Sequence, residues 1–229
     1  QLTHHDIWDW DIPSAPVISD LPNGQKVLMS VTKQSWIYTF DRATGEPIWP
    51  IEERPVPAGD VPGEWYSPTQ PFPTNPPPFD RQGFTEKDLI DWTPEIRALA
   101  LDATEGFRLA PSVYSPPSLA DAEDGTRGTL SLPSATGGAN WEGAAIDPET
   151  GMIYVPSRTA LAVMSLGKDK DSDLDLSAAF GVRVPRVQGL EIVKPPYGRI
   201  TAIDMNTGQH QWMIANADTP ARIKTHRLL

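Results

Sequence analysis

Short apolar runs separated by turn residues make up most of the chain. Residues 27–31 (Val-Leu-Met-Ser-Val) and 36–40 (Trp-Ile-Tyr-Thr-Phe) are too short for ordinary helices and rich in β-branched and aromatic residues, so each predicts a strand. Residues 11–18 predict an earlier strand, which Pro13 and Pro16 confine to an edge-like or irregular path. Residues 46–49 predict a later one. Turn signals at Pro22-Asn23-Gly24 and Ala43-Thr44-Gly45 would fold these runs into a four-stranded antiparallel meander over residues 7–49.

The last turn of that unit recurs. Asp41 is followed by Gly45 and Trp49, and Asp204 by Gly208 and Trp212, at the same spacing; Asp147 and Gly151 form a shorter echo. Asp and Thr can hydrogen-bond the turn backbone, Gly can adopt positive φ, and Trp can dock on a neighbouring sheet. The repeat predicts a propeller or similar array, with a second unit over residues 136–215 and strands near 141–147, 152–157, 199–204 and 209–214. Between the units, residues 50–133 break the repeat with a proline-rich extended tract at 71–79. They carry one predicted helix at 94–101, with Thr93 as N-cap and Pro94 at its first position. A segment so irregular reads equally as a substrate-side loop or as a packing insertion. A further insertion spans 165–190, and the tail 216–229 leads toward the next unit.

Composition narrows the class. Twenty-five Pro, 17 Gly and eight Trp in 229 residues fit an all-β protein rich in turns. No run of about 18 apolar residues occurs, so nothing in the sequence spans a bilayer. A net charge of −11 disfavours nucleic acid and anionic lipid as partners. With no Cys, disulfides, thiolate metal sites and Cys catalysis are excluded. No glycine-rich phosphate loop or Ser-His-Asp signature is present. The acids at 168–175 lack the glycine and terminal glutamate of a calcium loop and read as solvated surface.

Several stretches resemble the membrane-associated quinoprotein glucose dehydrogenases, β-propellers that use pyrroloquinoline quinone. They are His5-Asp6-x-Trp8-Asp9-x-Asp11, the Thr32-Lys33 step 27 residues after Asp6, the Asp41-Arg42-x-Thr44-Gly45-Glu46 turn, and residues 63–72 (Gly-Glu-Trp-Tyr-Ser-Pro-Thr-Gln-Pro-Phe). Gly138-Ala139-Asn140-Trp141-Glu142-Gly143 and residues 196–204 complete the match in consistent order. The resemblance implies about two blades of an eight-bladed propeller of four-stranded antiparallel blades, from the C-terminal-middle part of a longer protein. It also implies a periplasmic location. A sugar or polyol would be oxidised by hydride transfer to pyrroloquinoline quinone, with electrons passing to ubiquinone or a cytochrome. Calcium or magnesium would sit against the cofactor on ligands mostly outside this chain, and membrane contact would come only through parts absent here.

Residue by residue, Asp6 matches the general base that takes the substrate hydroxyl proton, against a competing reading as a backbone cap. Lys33 matches the lysine that meets both quinone oxygens and the catalytic carboxylate, against an exposed strand-end lysine. The family often has Gly two residues after this lysine; Ser35 stands there instead. Asn140 could donate its amide to the quinone, with Gly137 and Gly138 allowing close backbone approach, and Trp141 reads as an interblade or cofactor contact. His4 and His5 are adjacent and would diverge on a strand, so His5 is expected to orient Asp6 rather than share a metal with His4. The rival class is a non-catalytic propeller scaffold, which would keep the turns without needing Asp6, Lys33 and Asn140 together.

Overall fold

A computed structural model describes residues 1–168, 171–179 and 182–229. The first sheet consists of β1 (Val17–Asp20), β2 (Lys26–Val31) and β3 (Ile37–Asp41), antiparallel in that order. Two edges differ from the pattern reading. Residues 11–16 are irregular and the strand starts only at Val17, because Pro13 and Pro16 cannot donate to a ladder. The expected fourth strand at 46–49 shrinks to one bridge between Phe40 and Pro47 and a bond from Ile48 N to Thr39 O (2.9 Å). Pro47, again without an N–H, stops the ladder there.

The region read as irregular contains a regular hairpin, β4 (Ile51–Pro55) with β5 (Thr69–Pro73). The helix α1 (Pro94–Ala103) follows, and Thr93 caps it by accepting from Ile96 N. Short strands β6 (Arg108–Leu109), β7 (Ser118–Leu119) and β8 (Thr129–Ser131) come next. The second sheet opens with β9 (Ala145–Asp147) and β10 (Met152–Arg158). The chain leaves it through β11 (Ala162–Gly167), β12 (Ser177–Ala178), β13 (Arg186–Val187) and β14 (Leu190–Glu191). It returns as β15 (Gly198–Asp204) and β16 (Gln209–Ala215), and ends with the short helix α2 (Ala221–Lys224).

The second sheet has four antiparallel strands ordered β16-β15-β10-β9. Residues 141–144, expected to begin its first strand, are instead a turn and loop. A third, mixed sheet ordered β12-β11-β8-β6, with β7 beside β11, draws strands from both insertions, which sequence patterning did not anticipate. Within the acidic run 168–175, residues 169 and 170 lie outside the described residues.

The first two sheets pack face to face. Val27, Met29, Val31 and Ile37 meet Ile153, Val155, Ile203 and Met205 in one buried cluster. The inward face of the second sheet is graded along its length. Ile153 pairs with Ile203, Val155 with Thr201, and Ser157 with Arg199, so it runs from apolar to polar. A separate core of Phe84, Leu89, Ile90, Ile96 and Leu130 supports the insertions.

All three repeat turns share one geometry. Gly45, Gly151 and Gly208 have φ of +80°, +75° and +72°, and each N–H donates to the carbonyl of the Asp four positions earlier. The side chains of Asp41, Asp147 and Asp204 cap neighbouring turn N–H groups. Trp49 docks as the repeat predicts: it packs on the first core and reaches the Gly208 turn of the other sheet. Trp212 does not dock across sheets. It leans on Tyr154 of its own sheet and stays 43% exposed on β16, every residue of which faces solvent.

The two turn glycines therefore differ in surroundings. A Cβ at Gly45 meets nothing within 4 Å, whereas one at Gly208 meets the Asn75 amide and comes within 3.1 Å of Trp49 Cζ2. Gly45→Ala is expected to cost about 1 kcal/mol, from left-handed backbone strain alone. Gly208→Ala is expected to exceed it by about 1 kcal/mol or more through the added clash. Urea unfolding of the two variants side by side measures the difference.

Candidate functional site

The site is built where the β2–β3 hairpin meets the N-terminal segment. Residues 32–35 form a tight loop in which Thr32 N donates to Trp36 O (3.0 Å) and Ser35 N to Thr32 O (3.1 Å). All four are buried, Lys33 included. Ser35 adopts φ +77°, the left-handed conformation that suits glycine and that a serine adopts only under constraint. Ser35 thus holds a glycine-like backbone position at the cost of strain.

The N-terminal segment is held by its tryptophans. Trp8 Nε1 donates to Ser115 O (2.8 Å) and Trp10 Nε1 to Val113 O (3.3 Å), and both rings are buried beside Trp36, Tyr38 and Tyr114. The Gln70 amide brackets His4, accepting from its N–H (2.8 Å) and donating to its carbonyl (2.7 Å). With the indoles inward, Asp9 and Asp11 remain at the surface, and both reach Lys33. Lys33 Nζ donates to Asp9 Oδ2 at 2.9 Å and to Asp11 Oδ1. Burial pulls the Lys33 pKa down, but the hydrogen bonds and charges of Asp11 and Asp9 outweigh it and hold the ammonium above the ordinary lysine value.

Asp6 is placed differently. Its Oδ1 accepts from Trp8 N (3.0 Å), and Lys33 meets Asp9 and Asp11 rather than Asp6. Its side chain reaches water, yet the surrounding protein desolvates it and raises its pKa. The charges of Asp9 and Asp11 add to that rise, against backbone N–H groups of Trp8 and Trp10. Asp6 and Asp9 border a cleft of about 840 Å³ whose other wall includes Ala162, Met164, Leu166 and Leu176. His5 turns away from Asp6. Its Nε2 meets Glu64 Oε1 at 2.8 Å and its ring stands edge-on to Trp65.

Asn140 and Trp141 lie on the loop behind Lys33. Asn140 Nδ2 donates to Thr136 O (2.7 Å) and its Oδ1 accepts from Trp141 N (2.9 Å), so the amide closes its own loop. Trp141 is 85% exposed and packs on neither sheet. The close approach attributed to Gly137 and Gly138 is real, but its object is the lysine loop. A Cβ at Gly137 would lie 2.5 Å from Lys33 Cγ and 2.6 Å from its Cα, and one at Gly138 would collide with Ser35 Oγ. Gly138 N also donates to Lys33 O (2.9 Å).

Sequence reasoning missed Asp9 and Asp11 as partners of Lys33, although the alternation Trp8-Asp9-Trp10-Asp11 carried the signal. It also missed Asp80, a buried carboxylate between the sheets, for which no local signal exists. Among the described residues no group of three or more His, Asp or Glu side chains gathers to hold a metal ion.

If Ser35 Oγ is what excludes a side chain at position 138, Gly138→Ala should cost about 1–3 kcal/mol by overpacking. In a Ser35→Gly background it should cost well under half of that. A double-mutant cycle in urea measures the coupling.

Comparison with known proteins places this geometry in a family. The model described as "PQQ: Glucose/ethanol/alcohol dehydrogenase, beta-propeller domain" matches residues 1–228. The quinate/shikimate dehydrogenase (quinone) of Acinetobacter baylyi is 29% identical over 92% of the chain and 28% of its own length. The glycerol dehydrogenase large subunit of Gluconobacter thailandicus is 30% identical over 91% and 32%, and quinoprotein glucose dehydrogenase A of Acinetobacter calcoaceticus 30% over 93% and 29%. The chain thus spans under a third of the length of these relatives. A solved quinohemoprotein alcohol dehydrogenase from Pseudomonas putida HK5 shares the fold, with a TM-score of 0.50 at 20% identity, over 93% of this chain and 26% of its own. The chain belongs to the PQQ-dependent dehydrogenase β-propeller family.

Proposed function

We propose that this chain supplies one wall of the catalytic centre of a quinoprotein dehydrogenase that oxidises a sugar or polyol. The observation that carries the reading is the buried Lys33 ammonium, bonded to a carboxylate, Asp9, that borders a cleft. Among the described residues Lys33 Nζ donates to Asp9 and Asp11, which leaves one of its three N–H groups to donate elsewhere. That donor fits the oxygen-rich edge of pyrroloquinoline quinone. Bound there, the cofactor supplies the two-electron acceptor for the hydride of a CH–OH group.

The remaining work falls to this chain's own side chains. The resemblance assigns the base to Asp6, and it also implies that the lysine meets the catalytic carboxylate. Geometry favours Asp9, which touches Lys33 and borders the cleft, whereas Asp11 does not border it. Asp9 Oδ accepts the hydroxyl proton, and Lys33 orients that carboxylate beforehand. One observation favours Asp6 instead: its raised pKa brings it nearer to neutrality, where a general base works best. The apolar wall around Met164 and Leu166 sheds water from the proton path.

Relatives bearing the names of quinate/shikimate, glycerol and glucose dehydrogenases support a CH–OH donor, and the word quinone in the first supports a quinone acceptor. A cytochrome acceptor, a calcium or magnesium ion held mainly by other blades, and a periplasmic location complete the reading and rest on the resemblance.

The test uses the full-length protein loaded with pyrroloquinoline quinone and calcium or magnesium, with dye reduction over a sugar and polyol panel. Asp9→Asn is expected to lower kcat by about 10²–10⁴-fold. Asp6→Asn should lower it far less, and the reverse ranking would return the base to Asp6. In wild type, activity should rise with pH as the base ionises. If Asp6 is that base, Asp9→Asn removes a negative neighbour, lowers the Asp6 pKa and moves the acid limb to lower pH. Cofactor-independent inertness on every substrate would leave a scaffold.

A further inference from the structure

Beyond the cleft, Asp80 is a heavily bonded carboxylate, 6% exposed at the polar end of the interface between the first two sheets. Its Oδ2 accepts from Ser157 Oγ (2.6 Å), and its Oδ1 accepts from Thr159 Oγ1 (2.6 Å) and Arg81 N (2.6 Å). Arg199 Nε lies 3.4 Å from Oδ2, and Arg199 also donates to Thr159 Oγ1 (2.9 Å). Ser157 and Arg199 are directly paired across β10 and β15, so the carboxylate is gripped by the polar end of the second sheet.

What Asp80 fixes is the support of the lysine loop. Phe79 N donates to Ser35 O (2.9 Å) and Gln82 Nε2 to Gln34 O (2.7 Å), so the residues flanking Asp80 hold the two carbonyls that follow Lys33. On the other side, Arg158 lies between the two hydroxyl residues that grip Asp80. Its N–H donates to Gly138 O (2.7 Å), and Gly138 N donates to Lys33 O. Thr201 Oγ1 also donates to Phe79 O (2.8 Å). Two paths therefore leave the Asp80 cluster and converge on the backbone at Lys33, Gln34 and Ser35, one along the 79–82 segment and one through Gly138. Asp80 itself touches none of the reacting groups. The Ser35 backbone, with φ +77°, stays in its strained conformation only while its neighbours over-determine it.

We infer that Asp80 is a positioning residue. Its buried clamp on Ser157, Thr159 and Arg199 holds the lysine loop in register, so that the Lys33 ammonium meets Asp9 and Asp11. This rests on the proposed dehydrogenase reading only for its effect on turnover; the effect on Lys33 itself does not depend on it.

The test therefore has a readout independent of the cofactor. In the full-length protein, lysines are labelled with an amine-reactive acylating reagent across a pH series and quantified by mass spectrometry. Asp80→Asn removes the charge with little change of shape. Loosening of the loop should expose Lys33, lower its pKa toward the ordinary value and speed its labelling by about twofold or more, since a lower pKa raises the free-amine fraction. Lys26 and Lys194 serve as internal references and should not change. Ile203→Val, a core change away from the clamp, should leave Lys33 labelling as in wild type, which separates loop release from general loss of stability. On the loaded enzyme, Asp80→Asn should lower kcat by about tenfold to a hundredfold, with substrate KM within about twofold, as expected for a misplaced catalytic group. Should Asp80→Asn fail to fold, Ser157→Ala combined with Thr159→Val removes two donors while keeping the carboxylate, and decides the matter by the same labelling. A folded variant with wild-type Lys33 labelling overturns the inference. Faster labelling with no measurable dehydrogenase activity in the wild type upholds the clamp and overturns the dehydrogenase reading instead.

Discussion

Everything near the cleft depends on a lysine that the fold has buried. Taking an ammonium out of water is unfavourable unless anionic acceptors replace the hydration it loses. Lys33 is 7% exposed at its side chain, whereas Asp9 and Asp11 are more than half exposed. The carboxylates therefore come to the lysine from the surface, and the segment carrying them has to be fastened. Trp8 and Trp10 do this, each burying a ring and satisfying its indole N–H on a backbone carbonyl. Asp9 sits at φ +66° as part of that fit, an uncommon conformation for a residue other than glycine. The aromatic cluster and the ion pairs are one device: without the indole anchors, the two acids would have no fixed place from which to compensate the charge.

The sheets supply the rigidity this arrangement needs. Their shared core is apolar where Ile153 pairs with Ile203 and becomes polar toward Ser157 and Arg199, so a single face both packs and carries the contacts to Asp80. The third sheet, with its own core of Phe84, Leu89 and Leu130, provides β11 as the apolar side of the cleft. At the other end, β16 exposes Trp212, Met213 and Ile214. A propeller blade normally covers such a face with the next blade, and these sheets do not close on themselves.

How much of this the sequence disclosed depends on how local each signal was. The β2–β3 and β15–β16 hairpins and the repeated Asp-to-Gly turns were legible because pleat alternation and positive-φ glycines act within a few residues, whereas the β4–β5 hairpin was hidden among prolines. The fold class followed from them together with the resemblance. Proline then overrode the pattern at residues 11–16 and at Pro47, by removing N–H groups that the apolar run cannot replace. The third sheet was illegible because β6, β7, β8 and β11 find one another across the insertions, and no periodicity encodes such pairing. The same distinction holds at the site. Lys33 stood out through the resemblance, and the Trp-Asp alternation carried the signal for Asp9 and Asp11. Asp80 was silent, since its side-chain hydroxyl partners lie 77 and 79 residues away.

The two ion-paired clusters differ in a way that suits different duties. Asp80 and Arg199 are both nearly inaccessible, and the carboxylate is further satisfied by two hydroxyls and a backbone N–H. A charge pair so enclosed gains little net stability over an apolar substitute, but losing one member strands the other, which makes the arrangement all-or-none. Asp9 and Lys33 instead meet at the rim of a cleft, where water and a ligand can compete for the same hydrogen bonds. A pair of that kind exchanges partners more readily than one closed off from solvent on both sides. The fold thus separates an enclosed charge pair from one that borders a cleft. It joins them through hydrogen bonds to the backbone of the lysine loop, from Gly138, Phe79 and the Gln82 side chain.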